Sequence, residues 1–413
     1  MYGLPENVEF CKKCVISNQR PSSTIEQKHT INTNKEFISF TDGICDACHV
    51  SDQKHDIDWD ARERELIELC NKYRSTDGSY DCIVPGSGGK DSFMQSHLLK
   101  YKYGMNPLTI TWRPHIYTDW GYKNFVSWID SGFDNITVTP NGKVHRLLTR
   151  LALDTLFHPF QPFIIGQRHI ATQMACKLNI PLIFYGESGS EYGNKKKDSA
   201  TPQRSFEEYE FFDKSNPDNV FLSGLSLTEL QQKFHLSKSD IDTYMPPSPE
   251  IVEKVGVSVQ WLGYYIKWHP QGAFYYSSDN GLFKPAPERT LGTYSTYNSI
   301  DDKVDDLHYY TTFIKFGIGR ATYDASQEIR NNEIDRDEGI ALVHKYDGEY
   351  PKRFMADFID YLSMDSIYFK DVAQHFEYPS FSEEYFNHIT DKFRPEHLWK
   401  KSNNKWELRH KVF

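Results

Sequence analysis

The residues with the clearest chemical potential in this chain are two cysteine pairs and a glycine-rich turn. Cys11-Lys12-Lys13-Cys14 and Cys45-Asp46-Ala47-Cys48 lie either side of residues 15–44. Each Cys-x-x-Cys knuckle offers two thiolates, and two knuckles complete the tetrahedral shell that zinc prefers. A closed four-thiolate shell leaves no open position for a substrate, so the expected role of the ion is structural. Redox-active or simply buried cysteines are the alternative. Cys70, Cys82 and Cys176 stand in apolar or helical contexts that suit core thiols.

The glycine turn lies in Cys82-Ile83-Val84-Pro85-Gly86-Ser87-Gly88-Gly89-Lys90-Asp91-Ser92, a short apolar strand leading into a helix. Gly88 and Gly89 are expected to supply positive φ and close backbone approach, and Asp91-Ser92 to cap the helix over Phe93 to Tyr103. Backbone N–H groups then converge at the positive end of a helix, where a nucleotide oxyanion would sit. A Walker A loop is excluded. It needs glycine where Val84 stands, and Asp91 intrudes between Lys90 and Ser92. An ordinary glycine turn is the competing reading.

These residues must be held by strands alternating with helices. After the loop, Leu108 to Trp112 reads as a strand with Thr111 near its end, a candidate nucleotide contact. Trp120 to Ile129 reads as a helix, and Ile136 to Val138 as a third strand. Helices over Lys143 to Phe157 and Ile164 to Leu178 follow, then the strand Leu182 to Tyr185. Such alternation implies a parallel sheet covered on both faces, with ligands at the carboxyl ends of its strands. Gly186-Glu187-Ser188-Gly189-Ser190-Glu191 leaves that edge, so Gly186 is a candidate nucleotide contact. Glu187 is a candidate second Mg²⁺ ligand beside Asp91, with a solvated acidic turn as its alternative. Arg168 on the preceding helix meets either a phosphate or a surface acid. Lys195-Lys196-Lys197 is either a solvated run or a loop that closes over an anion.

Further on, Leu227 to Tyr244 has helical spacing, Val257 to Trp268 is a strand or an extended connector, and Ala325 to Tyr346 reads as a helix. The stretch Arg289 to Asp306 crowds hydroxyls, an amide and carboxylates together. Tyr294, Ser295, Tyr297, Asp301, Asp302 and Lys303 are candidate sugar contacts, although acids such as Asp301-Asp302 equally suit a helix N-terminus. Lys315 and Arg320, within Phe313 to Thr322, are candidate catalytic cations. The helix Asp58 to Arg74 is expected to link the cysteine region to the α/β domain, and Glu349 to Phe413 reads as helical and aromatic. We expect a zinc ribbon over 1–57, an α/β phosphate-loop domain over 58–205 and a mainly helical substrate or partner region over 206–413.

A net charge of -10 disfavours a broad nucleic-acid footprint, and an aromatic content of 15% supports a packed core. There is no apolar run of about 18 residues and no hydrophobic segment after Met1. The expectation is a cytoplasmic protein that makes no membrane contact.

Ser87-Gly88-Gly89-Lys90-Asp91-Ser92 resembles the SGGxDS signature of the PP-loop ATP pyrophosphatases, which cleave ATP between the α and β phosphates. With the cysteine pairs, Gly186 to Glu191 and Lys315 to Thr322, the order of motifs from Cys11 to about Asp347 resembles the N-acetyl sugar amidotransferases of bacterial surface-polysaccharide and flagellin-glycan pathways. That resemblance implies a Rossmann-like PP-loop core of the HUP type and the conversion of a sugar acetamido group, often nucleotide-linked, into an acetamidino group. It also implies ammonia from a separate glutaminase, with subunits similar to those of imidazole-glycerol-phosphate synthase. No glutaminase nucleophile is evident in the chain: Met1 is followed by Tyr2, and none of Cys70, Cys82 or Cys176 stands in a nucleophile elbow.

An amide carbonyl is a poor electrophile, so displacement of its oxygen by ammonia requires activation, which adenylation supplies. ATP is then a co-substrate and Mg²⁺ and structural Zn²⁺ the metals. Asp91 with Glu187 would hold Mg²⁺, while the amides of Gly88 and Gly89, Lys90 and the hydroxyls of Ser87 and Ser92 would meet pyrophosphate. A tRNA-thiolating PP-loop enzyme and a non-catalytic nucleotide-binding scaffold subunit are the alternatives. Net charge counts against the first, since RNA binding leans on a basic surface, and so does the lack of an obvious persulfide cysteine near the loop.

Overall fold

The structure, a computed structural model, describes residues 3–21, 26, 37–186, 201–203, 220–280, 283–363 and 380–413. Its centre is a five-stranded sheet of β3 (Cys82–Pro85), β4 (Pro107–Trp112), β5 (Asn135–Val138), β6 (Leu182–Tyr185) and β9 (Ser258–Trp261). All four pairings are parallel, in the order β5-β4-β3-β6-β9. Strand β9 comes from the far side of residue 205, so the sheet is not completed within 58–205.

Both faces of this sheet are buried, as a parallel sheet requires. Ile83 pairs with Leu108 and with Ile183, and Ile183 with Val259. These four share one core with α5 (Gly142–Leu156) and α6 (Gln161–Leu178). Cys82, Val84, Leu182 and Phe184 alternate to the other face and pack with Leu66 and Cys70 of α2 (Trp59–Tyr73). The same face is covered by α3 (Lys90–His97), whose helix widens into a π turn over Leu98–Lys102, and by α4 (Asp119–Asp130).

The cysteine region forms a hairpin of β1 (Phe40–Thr41) and β2 (Ile44–Cys45) leading into α1 (Asp46–Gln53). Its core is shared with Ile318, Ala325 and Ile329 of the C-terminal region. Ser51 donates to the Arg330 carbonyl at 2.9 Å, so the ribbon docks on α13 (Arg320–Arg330) as well as leading into α2.

The helical region begins with the hairpin β7 (Phe221–Leu222) and β8 (Leu225–Ser226). The helix expected over Leu227 to Tyr244 is two, α7 (Leu227–Phe234) and α8 (Lys238–Asp242). His235 turns left-handed at φ 54° between them, and Ser237 starts the second with a capping box. After α9 (Pro249–Val255) and β9 come α10 (Leu262–Tyr265) and α11 (Pro270–Asp279). Then follow α12 (Val304–Phe316), α13 and α14 (Arg336–Tyr346). One helix over Ala325 to Tyr346 does not form, because Asp335 and Glu338 build a capping box that starts α14 afresh. Helices α15 (Met355–Leu362) and α16 (Glu383–Lys392) and the hairpin β10 (Trp399–Ser402) and β11 (Lys405–Leu408) complete the chain. The C-terminal stretch is therefore not helical throughout. Among the described residues no helix is long and apolar enough to cross a membrane.

Candidate functional site

In chain order the strands of the central sheet read third, second, first, fourth, fifth. The order reverses between β3 and β6, and at such a switch point the loops beyond the strands diverge to leave a ligand crevice. The loop Gly86 to Gly89 leaves β3 at this point. Gly86 is forced by packing, since a Cβ there would lie 2.2 Å from the Ser92 Cβ. Gly88 is forced twice. Its φ is 87°, and an added Cβ would lie 2.6 Å from the Phe125 Cα.

Gly89 differs from expectation: its φ of −68° is open to any residue, and it serves as the N-cap of α3. The helix starts at Lys90, so Asp91 and Ser92 sit inside its first turn and do not cap it. Ser92 Oγ donates to the Gly89 carbonyl at 3.0 Å. No side chain hydrogen-bonds the first turn from the N-cap position, which leaves the opening N–H groups available to an anion.

Lys90 is buried, and its Nζ lies 2.6 Å from Asp91 Oδ2. Asp91 Oδ1 accepts from the indole N–H of Trp268 at 3.1 Å, and Ser277 Oγ donates to the Lys90 carbonyl at 2.8 Å. A Cβ at Gly186 would lie 3.4 Å from the Asp91 carbonyl, so the end of β6 abuts the same turn. Glu187 and Lys195 to Lys197 lie outside the described residues.

The segment 298–306 packs on the start of α4, the helix whose Phe125 abuts Gly88. Burial pushes the Asp301 carboxyl upward, against the opposing influence of the Ser87 hydroxyl and the Lys90 charge. A Cβ at Gly121 would lie 2.3 Å from the Asp301 Cα, and Thr118 N donates to the Asp301 carbonyl at 3.2 Å. Asp305, one turn later, is raised well above the usual carboxylate range by burial and by Asp301 and Asp302, against the pull of Arg320. Arg320 in turn pairs with Asp324 at 3.1 Å and donates to the Tyr309 hydroxyl.

The structure thus gathers Ser87, Gly88, Gly89, Lys90, Asp91, Ser92 and Gly186 around one loop with Asp301 beside it, while Arg320 is held by Asp324 and Tyr309. Other candidates are committed elsewhere. Asp302 accepts from the backbone of His115 at 2.7 Å, Ile116 at 3.2 Å and Val304 at 3.0 Å, and lies 2.8 Å from the His115 ring. It is a structural hub. Lys303 pairs with Asp357 at 2.7 Å. Tyr294 donates to Glu328 at 2.6 Å, and burial raises its phenol. Tyr297 stacks on Phe274 at 4.2 Å, and Ser295 Oγ accepts from the amides of Tyr297 and Asn298 inside a turn. Thr111 Oγ1 accepts from Asn135 within the sheet at 3.0 Å. Arg168 lies midway along α6, on the face of the sheet opposite α3.

Lys315 is only 1% exposed. Its Nζ reaches Glu26 Oε2 and the Leu156 carbonyl, each at 2.6 Å. Trp268, Ser277 and Asp305 were missed by sequence reasoning. Trp268 and Ser277 carry no motif, and Asp305 was one acid among several in the same stretch.

The cysteine cluster is a separate centre. The Sγ atoms of Cys11, Cys14, Cys45 and Cys48 all lie within 4.8 Å of one another, buried. Cys11 to Cys48 is 3.9 Å and Cys14 to Cys45 is 3.7 Å. Those spacings fit a tetrahedral ion with Zn–S bonds of about 2.3 Å. The amides of Lys13, Cys14 and Cys45 point at Cys11 Sγ at 3.4 Å each, which steadies a thiolate. The cluster can hold one structural zinc.

Residues 291–412 match the family described as LPS biosynthesis protein WbpG-like, C-terminal domain. That segment is therefore similar to a domain of polysaccharide-biosynthesis proteins. It contains Asp301, Asp305 and Arg320, and so includes the segment that packs on the start of α4 beside the loop. An 82-residue stretch is 33% identical to the protein named "Uncharacterized protein MJ1599" of Methanocaldococcus jannaschii, covering 20% of this chain and 29% of that protein.

Proposed function

We propose that the chain is an ATP-dependent, AMP-forming amidotransferase acting on an N-acetylated, nucleotide-linked sugar. The observation that carries the reading is the packing of two segments on α4: the loop shaped for phosphate closes on Phe125 at Gly88, and the segment similar to a polysaccharide-biosynthesis domain closes on Gly121 at Asp301. The reading is supported further by the position of the loop at the reversal of strand order and by the open first turn of α3.

In this reaction the acetamido oxygen attacks the α phosphorus of ATP and pyrophosphate leaves. Ammonia then adds to the activated carbon, AMP departs with the oxygen, and loss of a proton leaves the amidine. The amides at Gly88, Gly89 and Lys90 orient the phosphates, and the Lys90 ammonium offsets charge on the departing pyrophosphate. The Ser87 hydroxyl donates a hydrogen bond to the same group, while the Ser92 hydroxyl, held by the Gly89 carbonyl, keeps the turn in shape. Asp91 is the carboxylate that would hold Mg²⁺, which when bound draws charge from the phosphate oxygens. The Asp301 carboxyl, raised by burial, suits the proton removed from the incoming nitrogen. Ammonia comes from a separate glutaminase.

The test is to incubate the purified chain with labelled ATP, Mg²⁺, ammonium and UDP-N-acetyl sugars. The expected result is sugar-dependent AMP and pyrophosphate with NH in place of O in the sugar. ADP released without sugar, or AMP formed only with tRNA, would overturn it.

A further inference from the structure

The first turn of α3 is tied to a segment that belongs to neither the glycine loop nor the family-matched region. Trp268 is buried at 3% exposure, between α10 and α11. Its indole N–H reaches Asp91 Oδ1 at 3.1 Å, while Asp91 Oδ2 lies 2.6 Å from Lys90 Nζ. The two carboxylate oxygens are thus divided between a neutral donor and a cation. Trp268 is itself anchored, because its carbonyl accepts from Lys54 at 3.3 Å and the next residue, His269, caps α11 through Gly272 N at 3.2 Å. Helix α11 lies along α3, and Ser277 fixes the Lys90 carbonyl at 2.8 Å.

An aspartate in the first turn of a helix, 21% exposed at its side chain, has more than one rotamer open to it. A donor on one oxygen selects among them. We propose that Trp268 is a positioning residue for Asp91: its indole N–H fixes Oδ1 so that Oδ2 is presented, with Lys90, to the phosphate-facing side of the loop. This inference rests on the nucleotide-site reading given above. An N–H bond to a carboxylate is among the stronger hydrogen bonds, so its loss should be visible in binding.

The experiment measures ATP affinity by calorimetry at fixed Mg²⁺ for the full chain and for Trp268→Phe, Asp91→Ala and the double variant. Trp268→Phe keeps an aromatic ring and removes the donor. It should bind ATP roughly tenfold more weakly or worse. The double variant should bind no more weakly than Asp91→Ala, because Trp268 acts only through Asp91. Wild-type affinity in Trp268→Phe, or losses that add in the double variant, would overturn the positioning role alone. Wild-type affinity in Asp91→Ala would overturn the nucleotide role of Asp91. The indole ¹⁵N–¹H resonance of Trp268 gives a reading that needs no tryptophan variant: it should move in Asp91→Ala and on adding Mg²⁺ and ATP. A resonance indifferent to both contradicts the proposal.

Discussion

Replacing Lys315 by methionine separates two roles that the sequence left together. The residue was a candidate catalytic cation, yet its side chain is 1% exposed and its partner Glu26 is 8% exposed. Nζ lies 2.7 and 2.6 Å from the two Glu26 oxygens and 2.6 Å from the Leu156 carbonyl. Methionine preserves the stem, so the main loss is the charge and its hydrogen bonds. Removing one partner of a buried pair costs about 3–5 kcal/mol, because the remaining charge is stranded. Lys315→Met should therefore unfold at clearly lower urea, while the folded fraction keeps its affinity for ATP. Adding Glu26→Gln should recover part of the loss, since a neutral amide removes the stranded charge. Circular dichroism in urea, paired with ATP calorimetry below the transition, measures both. An unchanged urea transition with turnover abolished would return Lys315 to the catalytic site and refute the structural role.

Other expectations follow from single distances and shifts. Cys48→Ser should lose the zinc measured by elemental mass spectrometry, and should also loosen α13, whose Ala325 and Ile329 pack on the cysteine cluster. Gly88→Ala should cost about 1–3 kcal/mol and weaken ATP binding, whereas Gly89→Ala should be tolerated, its new Cβ meeting only Ser87 Oγ at 3.8 Å. Burial raises the Asp347 carboxyl from 3.8 to about 7. The native chain then holds a proton that the unfolded chain gives up, so this contribution is complete below pH 3.8 and is lost as pH rises to about 7. Asp347→Asn should flatten that part of a pH series of urea transitions.

The local signals were legible where covalent geometry forces them. Gly88 must be glycine because of its positive φ and its contact with Phe125, and the cysteine pairs meet because zinc spacing leaves little freedom. Alternating strands and helices gave the parallel sheet for β3 to β6, since β3, β4 and β6 are apolar and β3, β4 and β5 each run into a helix. Strand β9 was harder to place. Its residues alternate enough for a strand or an extended connector, and only the partner strand β6 decides between them. Acids such as Asp302 collect at helix starts for the dipole alone, so a sugar role could not be told from a structural one, and the partners of Asp302 and Lys303, His115 and Asp357, are remote in sequence. Trp268 was invisible because its function lies in one hydrogen bond across the fold.

The central claim is that the glycine loop activates a sugar through adenylation, and ¹⁸O transfer tests it most directly. A UDP-N-acetyl sugar labelled with ¹⁸O in its acetamido carbonyl is incubated with the chain, ATP, Mg²⁺ and ammonium, and the AMP is examined by mass spectrometry. The account predicts that the label moves from the sugar to AMP, because that oxygen bridges carbon and the α phosphorus before ammonia displaces it. An amidino product whose ¹⁸O appears in water or in orthophosphate would contradict adenylation.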